Sequence, residues 1–257
     1  MSVSQYNQYG KCPYAWKLQR RDKVWERPAA WLPQGTAVHA AGEAYERSGR
    51  TLSLEQVKDV FRASYSEEVS KYTKETPNLS YWFRSGPYRG AQDIERRFGI
   101  GLEQCEKYVT WYDKHPEQVA WTAPDGTLGV ELEFDLDLDG VLVKGFIDKV
   151  GHDTKRDVMY VRDNKTGKKP PEDDMQLGTY KVAVETTYGV EVPEGDFWMG
   201  STGKPTIARD LKEWTRERVT EKFHELADNI KQERFDPDPE TSKCMFCSVS
   251  ASCAFSA

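Results

Sequence analysis

The chain has 257 residues, of which 38% are hydrophobic and 30% charged, with a formal net charge of −6 at pH 7. A chain of this length buries roughly 70–75% of its unfolded surface, so one large or two small domains with a real core are expected. It contains neither an apolar run of membrane-spanning length nor a basic-then-apolar leader, which predicts a cytoplasmic protein without membrane association. The acidic balance excludes a chain-wide polyanion binder, so any nucleic-acid site must be built from local basic clusters.

The first part of the chain has a helical hydrophobic pattern up to about His115. Four segments carry it: SQYNQYGKCPYAWKLQRR, GTAVHAAGEAYERSG, LSLEQVKDVFRASYSEEVSKYTKE and DIERRFGIGLEQCEKYVTWYDKH. The Pro/Gly-marked stretch TPNLSYWFRSGPYRG, residues 76–90, separates the last two and predicts an exposed loop. Its arginines, Arg84 and Arg89, lie beside three aromatic residues. These rings either stack on the bases of an unpaired strand or anchor the loop to the core.

From Val119 the hydrophobic period changes to two. The run VELEFDLDLDG alternates apolar and acidic residues, and VLVKGFIDKVG and DVMYVRDNK follow it after turns, which predicts three antiparallel strands. A helix in DDMQLGTYKVAVETTYG, a strand around GDFWMGST and a helix from Leu211 to Phe235 complete the pattern. The expected architecture is one α/β domain with a twisted sheet, flanking helices and a helical N-terminal extension.

Four of the five cysteines are divided between the two ends of the chain. Cys12 lies near the start, and Cys244, Cys247 and Cys253 form C-x2-C-x5-C at the end, whereas Cys105 lies alone in a helical segment and predicts a core residue. Disulfides are disfavoured in the cytoplasm, and thiolates in close C-x2-C spacing suit zinc or an iron–sulfur cluster. Ordinary free cysteines are the alternative. A metal site would require the tail to fold back onto Cys12.

Asp163 and Lys165 end an apolar strand two residues apart, and the neighbouring strand carries Asp148. Two carboxylates brought together at one end of a sheet repel each other unless a cation lies between them, and their oxygens suit Mg2+ or Mn2+. A lysine beside that cation adds the charge stabilisation that phosphodiester hydrolysis needs. A surface charge pair is the alternative for D-x-K alone, but His39 on a helix and the pair Gln176 and Tyr180 on the next helix extend the pattern.

In chain order, these features resemble the RecB-like branch of the PD-(D/E)xK nucleases. The motifs that carry the resemblance are S-x-Y-x5-C-P at 4–13, G-x3-H at 35–39, G-x-I-D at 145–148, D-x-K-T-G at 163–167 and Q-x3-Y at 176–180. The cysteine arrangement resembles the iron–sulfur cluster of AddB-type and CRISPR-associated RecB-like nucleases.

The resemblance implies a role for each matching residue. It makes His39, Asp148, Asp163 and the backbone carbonyl of Asn164 ligands of Mg2+ or Mn2+, with Lys165 as the catalytic lysine. Glu131 matches an upstream acidic position, although residues 133, 135, 137 and 139 are acidic too. Gln176 and Tyr180 would bind DNA, with Arg84 and Arg89 as further candidates. A [4Fe–4S] cluster would be held by all four outer cysteines: Cys12, Cys244, Cys247 and Cys253.

The fold that the resemblance implies is a restriction-endonuclease-like α/β core in one domain. The helical part spans 1–118, the nuclease core 119–235, and the cluster-binding tail 236–257. The expected activity is metal-dependent DNA cleavage, most simply by an exonuclease on single strands or DNA ends in recombination, repair or CRISPR adaptation. A structure-specific endonuclease and a non-catalytic iron–sulfur DNA-binding subunit are the alternatives. Because no G-x4-G-K-[ST] motif is present, a helicase or recombination partner would supply any motor.

Overall fold

The computed structural model describes residues 1–257 and consists of a curled seven-stranded sheet between two layers of helices. The helices are α1 (Val3–Lys11), α2 (Pro13–Trp16), α3 (Trp31–Arg47), α4 (Leu54–Glu75), α5 (Gly90–Asp113), α6 (Met175–Tyr188), α7 (Arg216–Lys231) and α8 (Thr241–Cys244). The strands are β1 (Gln118–Ala120), β2 (Val130–Leu138), β3 (Val141–Asp153), β4 (Val158–Lys165), β5 (Glu194–Met199), β6 (Lys204–Pro205) and β7 (Arg209–Asp210). None of the helices is both long enough and apolar enough to cross a membrane.

The sheet is mixed. Strand β3 pairs antiparallel with β1 and β2 along one edge and with β4 along the other, and β4 pairs parallel with β5. The alternation in VELEFDLDL appears as predicted, because the even-numbered apolar residues of β2 are buried while the acidic residues from Glu133 onwards are exposed. The predicted mixed α/β fold is therefore present.

Each face of the sheet covers its own hydrophobic core. One core joins the sheet to α1, α6 and α7, and it includes Val3, Ile147, Leu177 and Phe223. The other joins α3, α4 and α5, and Trp198 is the residue of the sheet that enters it. The helical first part of the chain thus packs on the sheet at β5, the neighbour of the strand that carries the D-x-K motif.

The last long helix begins later than the sequence pattern predicts. Leu211 and Trp214 are buried as expected, but they precede the helix, which starts after Thr215. The Thr215 side chain accepts a hydrogen bond from the N–H of Arg218, and this N-cap ends the preceding extended segment. The spacing of apolar residues predicts a helix that starts too early, because Leu211 and Trp214 are buried although they lie in the turn before the helix.

Candidate active site

The acidic residues of the sequence motifs meet where β3 and β4 separate. The two strands pair from Lys149–Arg162 to Asp153–Val158, and beyond this the N–H of Asn164 donates to Oδ2 of Asp148 at 2.6 Å. A hydrogen bond to a side chain thus takes the place of backbone pairing between the two strands at this point. It holds the carboxylate of Asp148 beside the D-x-K motif.

Helix α3 covers this point and contributes His39. Its Nδ1 lies 3.5 Å from Oδ2 of Asp148 and 3.8 Å from Oε1 of Glu131. The ligand atoms of these three residues all lie within 4.8 Å of one another. Burial disfavours the imidazolium, but Asp148, Glu131 and Asp163 outweigh it and raise the pKa of His39 to about 9.

Glu131 is the member of the acidic series that reaches the site. Its backbone has φ of +45°, in the left-handed region, and it lies opposite Asp148, where the regular β2–β3 pairing is interrupted. A non-glycine residue in this region is strained, and such strain concentrates at functional sites. Glu133 and the acidic residues after it point into solvent instead.

The carboxylates of Asp148 and Asp163 are buried close to other acidic groups. Burial raises the pKa of Asp148 to about 7; His39 opposes this rise, and Asp163 and Glu131 add to it. Burial also raises the pKa of Asp163, although the ammonium of Lys165 opposes the shift. Acidic groups forced together in this way gain from a shared cation, and one imidazole with several carboxylates suits a divalent metal. The donor set therefore fits the metal that the motifs imply.

Lys165 is held in place by two side chains. Its Nζ lies 2.6 Å from Oδ2 of Asp163 and donates to Oε1 of Gln176 at 3.0 Å. Gln176 in turn donates to the hydroxyl of Tyr180 at 2.7 Å. The Lys165 side chain is 30% exposed, so it remains accessible to a substrate.

Tyr180 is a buried member of the site. Its side chain is only 4% exposed, and its hydroxyl lies 3.4 Å from Oδ1 of Asp163. Tyr180 thus contacts both Gln176 and Asp163, whereas Gln176 is half-buried at the edge of the site. The contact of these two residues with DNA stays a prediction. Asn164 lines a small pocket together with Val38 and Gly42 of α3 and Tyr108 of α5. The ligand role of its backbone carbonyl stays a prediction.

The loop at residues 76–90 is exposed, but two of its three aromatic rings are not. Trp82 is 4% exposed and Phe83 7%, so both anchor the loop to the core and neither can stack on a base. Arg84 and Arg89 are exposed, and neither has a carboxylate partner within ion-pair distance.

The four outer cysteines line one cavity of about 430 Å³ between the start and the end of the chain. Cys12 caps α2, where its Sγ accepts from the N–H of Ala15 at 3.5 Å. Burial raises the pKa of Cys247, and the thiols of Cys12, Cys253 and Cys244 contribute to the rise. The last part of the chain therefore lies against the segment that carries Cys12. Cys105 is buried in the helical core, as predicted.

Beside the site lies a buried ionic cluster that the sequence patterns did not indicate. Lys149 Nζ donates to Oε1 of Glu46 on α3 at 2.8 Å, and both side chains are 3% exposed or less. Arg162 binds both carboxylate oxygens of Asp196 and the hydroxyl of Tyr112. Lys149 directly follows Asp148 in sequence, and Arg162 directly precedes Asp163. A lysine and an arginine inside otherwise apolar strands were the available signal.

Comparison with known proteins assigns the chain to a class. The chain belongs to the PD-(D/E)XK nuclease superfamily, whose model matches residues 1–254. It is therefore a metal-dependent nuclease, with DNA as the substrate that the family implies.

Two curated relatives come from bacteriophages. The Gene 69 protein of Mycobacterium phage D29 is 53% identical over 260 residues, covering 98% of this chain and 95% of that protein. The Gene 69 protein of Mycobacterium phage L5 is 47% identical over 279 residues, with the same coverage. A solved exonuclease candidate from Eubacterium rectale matches 98% of this chain and 87% of its own at 12% identity, with a TM-score of 0.48, and this likeness carries no functional argument.

Proposed function

We propose that the chain is a Mg2+- or Mn2+-dependent DNA exonuclease. It acts on single-stranded DNA or on DNA ends. The observation that carries the proposal is the convergence of His39 from α3 with Glu131 and Asp148 from the sheet. Asp163 and Lys165, which form an ion pair at the end of β4, lie next to this group. Oxygen-rich donor sets of this kind suit hard divalent cations.

The residues have separable roles. When bound, the metal supplies Lewis-acid polarisation of the phosphodiester and activates a water molecule. Asp148 holds the strand of the D-x-K motif through the N–H of Asn164. Lys165, positioned by Asp163 and Gln176, presents an ammonium to the charge that develops on the phosphate. The hydroxyl of Tyr180 accepts a hydrogen bond from Gln176 and holds that side chain in place.

The experiment is a cleavage ladder. Strands labelled at the 5′ or the 3′ end, single and double, are incubated with Mg2+, Mn2+ or chelator. We expect metal-dependent single-nucleotide ladders on free single strands. Discrete internal products on flaps would identify an endonuclease instead, and no cleavage with either metal would leave only DNA binding. Lys155→Ala, a change at an exposed lysine in the turn between β3 and β4, is the matched control for Lys165→Ala.

We further propose that Cys12, Cys244, Cys247 and Cys253 hold a [4Fe–4S] cluster with a structural role, as in AddB-type and CRISPR-associated RecB-like nucleases. All four line one cavity, whose volume of about 430 Å³ is many times the roughly 30 Å³ of a water molecule. Protein purified without oxygen should be brown and contain iron and acid-labile sulfide. A colourless folded protein with one zinc would contradict the cluster and identify a four-thiolate zinc site.

The single-domain organisation into 1–118, 119–235 and 236–257 is part of the same proposal. The first and last parts meet at the cysteine cavity, which supports treating them as one unit. The phage origin of the two Gene 69 relatives favours a role in phage DNA recombination or repair, with a helicase or recombination protein as partner. Co-purification from infected cells tests this role, and recovery of the nuclease alone would count against a stable partner.

A further inference from the structure

Two exposed aromatic rings lie side by side near the start of α3. Trp25 is 40% exposed and Tyr81 60%, with ring centroids 6.4 Å apart and planes at 82°. Trp25 Nε1 donates to Oγ1 of Thr76 at 3.1 Å, and Trp82 Nε1 donates to the carbonyl of the same threonine at 3.0 Å. Trp25 is thus held by Thr76, and Tyr81 directly precedes the anchored Trp82, while both rings remain partly exposed to solvent.

Positive charge without an internal partner lies beside these rings. The guanidinium of Arg27 packs over Phe83, with a centroid distance of 5.1 Å. Its Nε is buried, so only its two terminal nitrogens, which form no ion pair, can meet an external anion. Arg84 directly follows Phe83 and is exposed without an ion pair. Glu26, next to Arg27 in sequence, accepts hydrogen bonds from Gln19 and Ser248 and forms no ion pair with either arginine. The two arginines are therefore available to an external anion.

A series of hydrogen bonds connects this surface to Thr166, the residue after Lys165. Arg97 donates to Ser85 Oγ at 3.1 Å and to Gln34 Oε1 at 3.0 Å. Gln34 donates to Gln104 at 2.7 Å, and Gln104 donates to the carbonyl of Thr166, next to Lys165, at 3.0 Å. Because Gln34 and Gln104 are buried, this connection is shielded from water and fixes the loop relative to the site.

We propose that Trp25 and Tyr81 stack on bases of an unpaired DNA strand while Arg27 and Arg84 bind its phosphates; this inference rests on the proposed nuclease function. Base faces are open to an aromatic ring only in an unpaired strand, and arginines beside aromatic rings suit its backbone. Helix α3 runs from Trp31 beside this surface to His39 at the metal site, about 12 Å of helix at 1.5 Å per residue. That length corresponds to about three or four stacked nucleotides.

The test measures binding of a fluorescent 20-nucleotide thymidine strand by anisotropy, without divalent metal. Tyr81→Ala should weaken binding about tenfold. An otherwise identical strand with abasic positions has no bases to stack, so on it the variant and the parent protein should bind alike. A single abasic position moved along a cleavable substrate should impair cleavage most about three or four nucleotides from the scissile phosphate.

The arginines are tested by salt dependence. Arg27→Gln with Arg84→Gln should reduce the slope of log affinity against log salt by about 1.4, for two phosphate contacts. Lys222→Gln with Lys231→Gln removes the same charge from α7, on the opposite face of the sheet, and should leave the slope unchanged. Equal slopes for the two double variants would overturn the phosphate role.

Two outcomes separate this inference from the nuclease function itself. If the parent protein cleaves DNA but Tyr81→Ala binds normally, or loses affinity equally on abasic strands, the stacking site is refuted and the nuclease stands. If the parent protein binds single strands through Tyr81 but cleaves none with any metal, the nuclease proposal fails and the binding site stands. A thermal melt confirms that Tyr81→Ala, a change at an exposed ring, leaves the protein folded.

Discussion

The buried pair of Lys149 and Glu46 offers a quantitative test of how the metal site is held. Glu46 lies seven residues after His39 on the same helix, and Lys149 directly follows Asp148. The bond between them, 2.8 Å long, therefore clamps α3 to β3 beside the proposed ligands. Lys149→Met should loosen this clamp and leave a buried carboxylate with weaker compensation.

The expected cost follows from the burial of both groups. Removing one partner of a buried ion pair costs about 3–5 kcal/mol. Arg50 also binds Glu46, at 3.1 Å, so we expect the lower end, about 3 kcal/mol. For a chain of this size that corresponds to a fall in Tm of about 6–12 °C. Glu46→Met with Lys149→Met should recover part of the loss, because no carboxylate then remains buried.

Stability alone does not test positioning, so the assay includes metal affinity measured by calorimetry with Mn2+. Val219→Ala, a core truncation in the opposite helical layer, is the matched destabilised control. Lys149→Met should weaken Mn2+ binding clearly more than Val219→Ala does at equal stability. Equal metal affinity in the two variants, or unchanged stability of Lys149→Met, would refute the clamp.

Three further outcomes are expected. Lys165→Ala should retain its fold and Mn2+ affinity but lose most cleavage of a labelled strand; near-normal turnover would remove the lysine from the mechanism. Asp148→Ala should lose Mn2+ binding and cleavage together, and retained Mn2+ affinity by calorimetry would exclude it as a ligand. Cys12→Ala should lower the free energy of unfolding more than Cys105→Ala, since a cross-link closing about 230 residues is worth about 5.5 kcal/mol in the chain-entropy model. Equal denaturant midpoints for these two variants would argue against a shared cluster.

Much of the architecture was readable from local patterns. The period of 3.6 in the first part and of two from Val119 onwards predicted the helices and the central strands, because each pattern reflects which side of one element meets the core. Ordered motifs predicted the superfamily. The start of α7 was misplaced, since Leu211 and Trp214 bury apolar surface without being helical.

The sequence by itself determined which chemical groups are present and in what order: a histidine, carboxylates and a lysine at motif spacing, and cysteines at both ends. Only the tertiary structure decided which acidic residue of β2 joins them. Alternation places Glu131 and the acidic residues after it on one strand face, so spacing cannot separate them, and α3 brings His39 to Glu131. Tertiary packing likewise buried Trp82 and Phe83 while leaving Tyr81 exposed. Neighbouring residues of one loop look alike in sequence, and their roles depend on which of them another element covers.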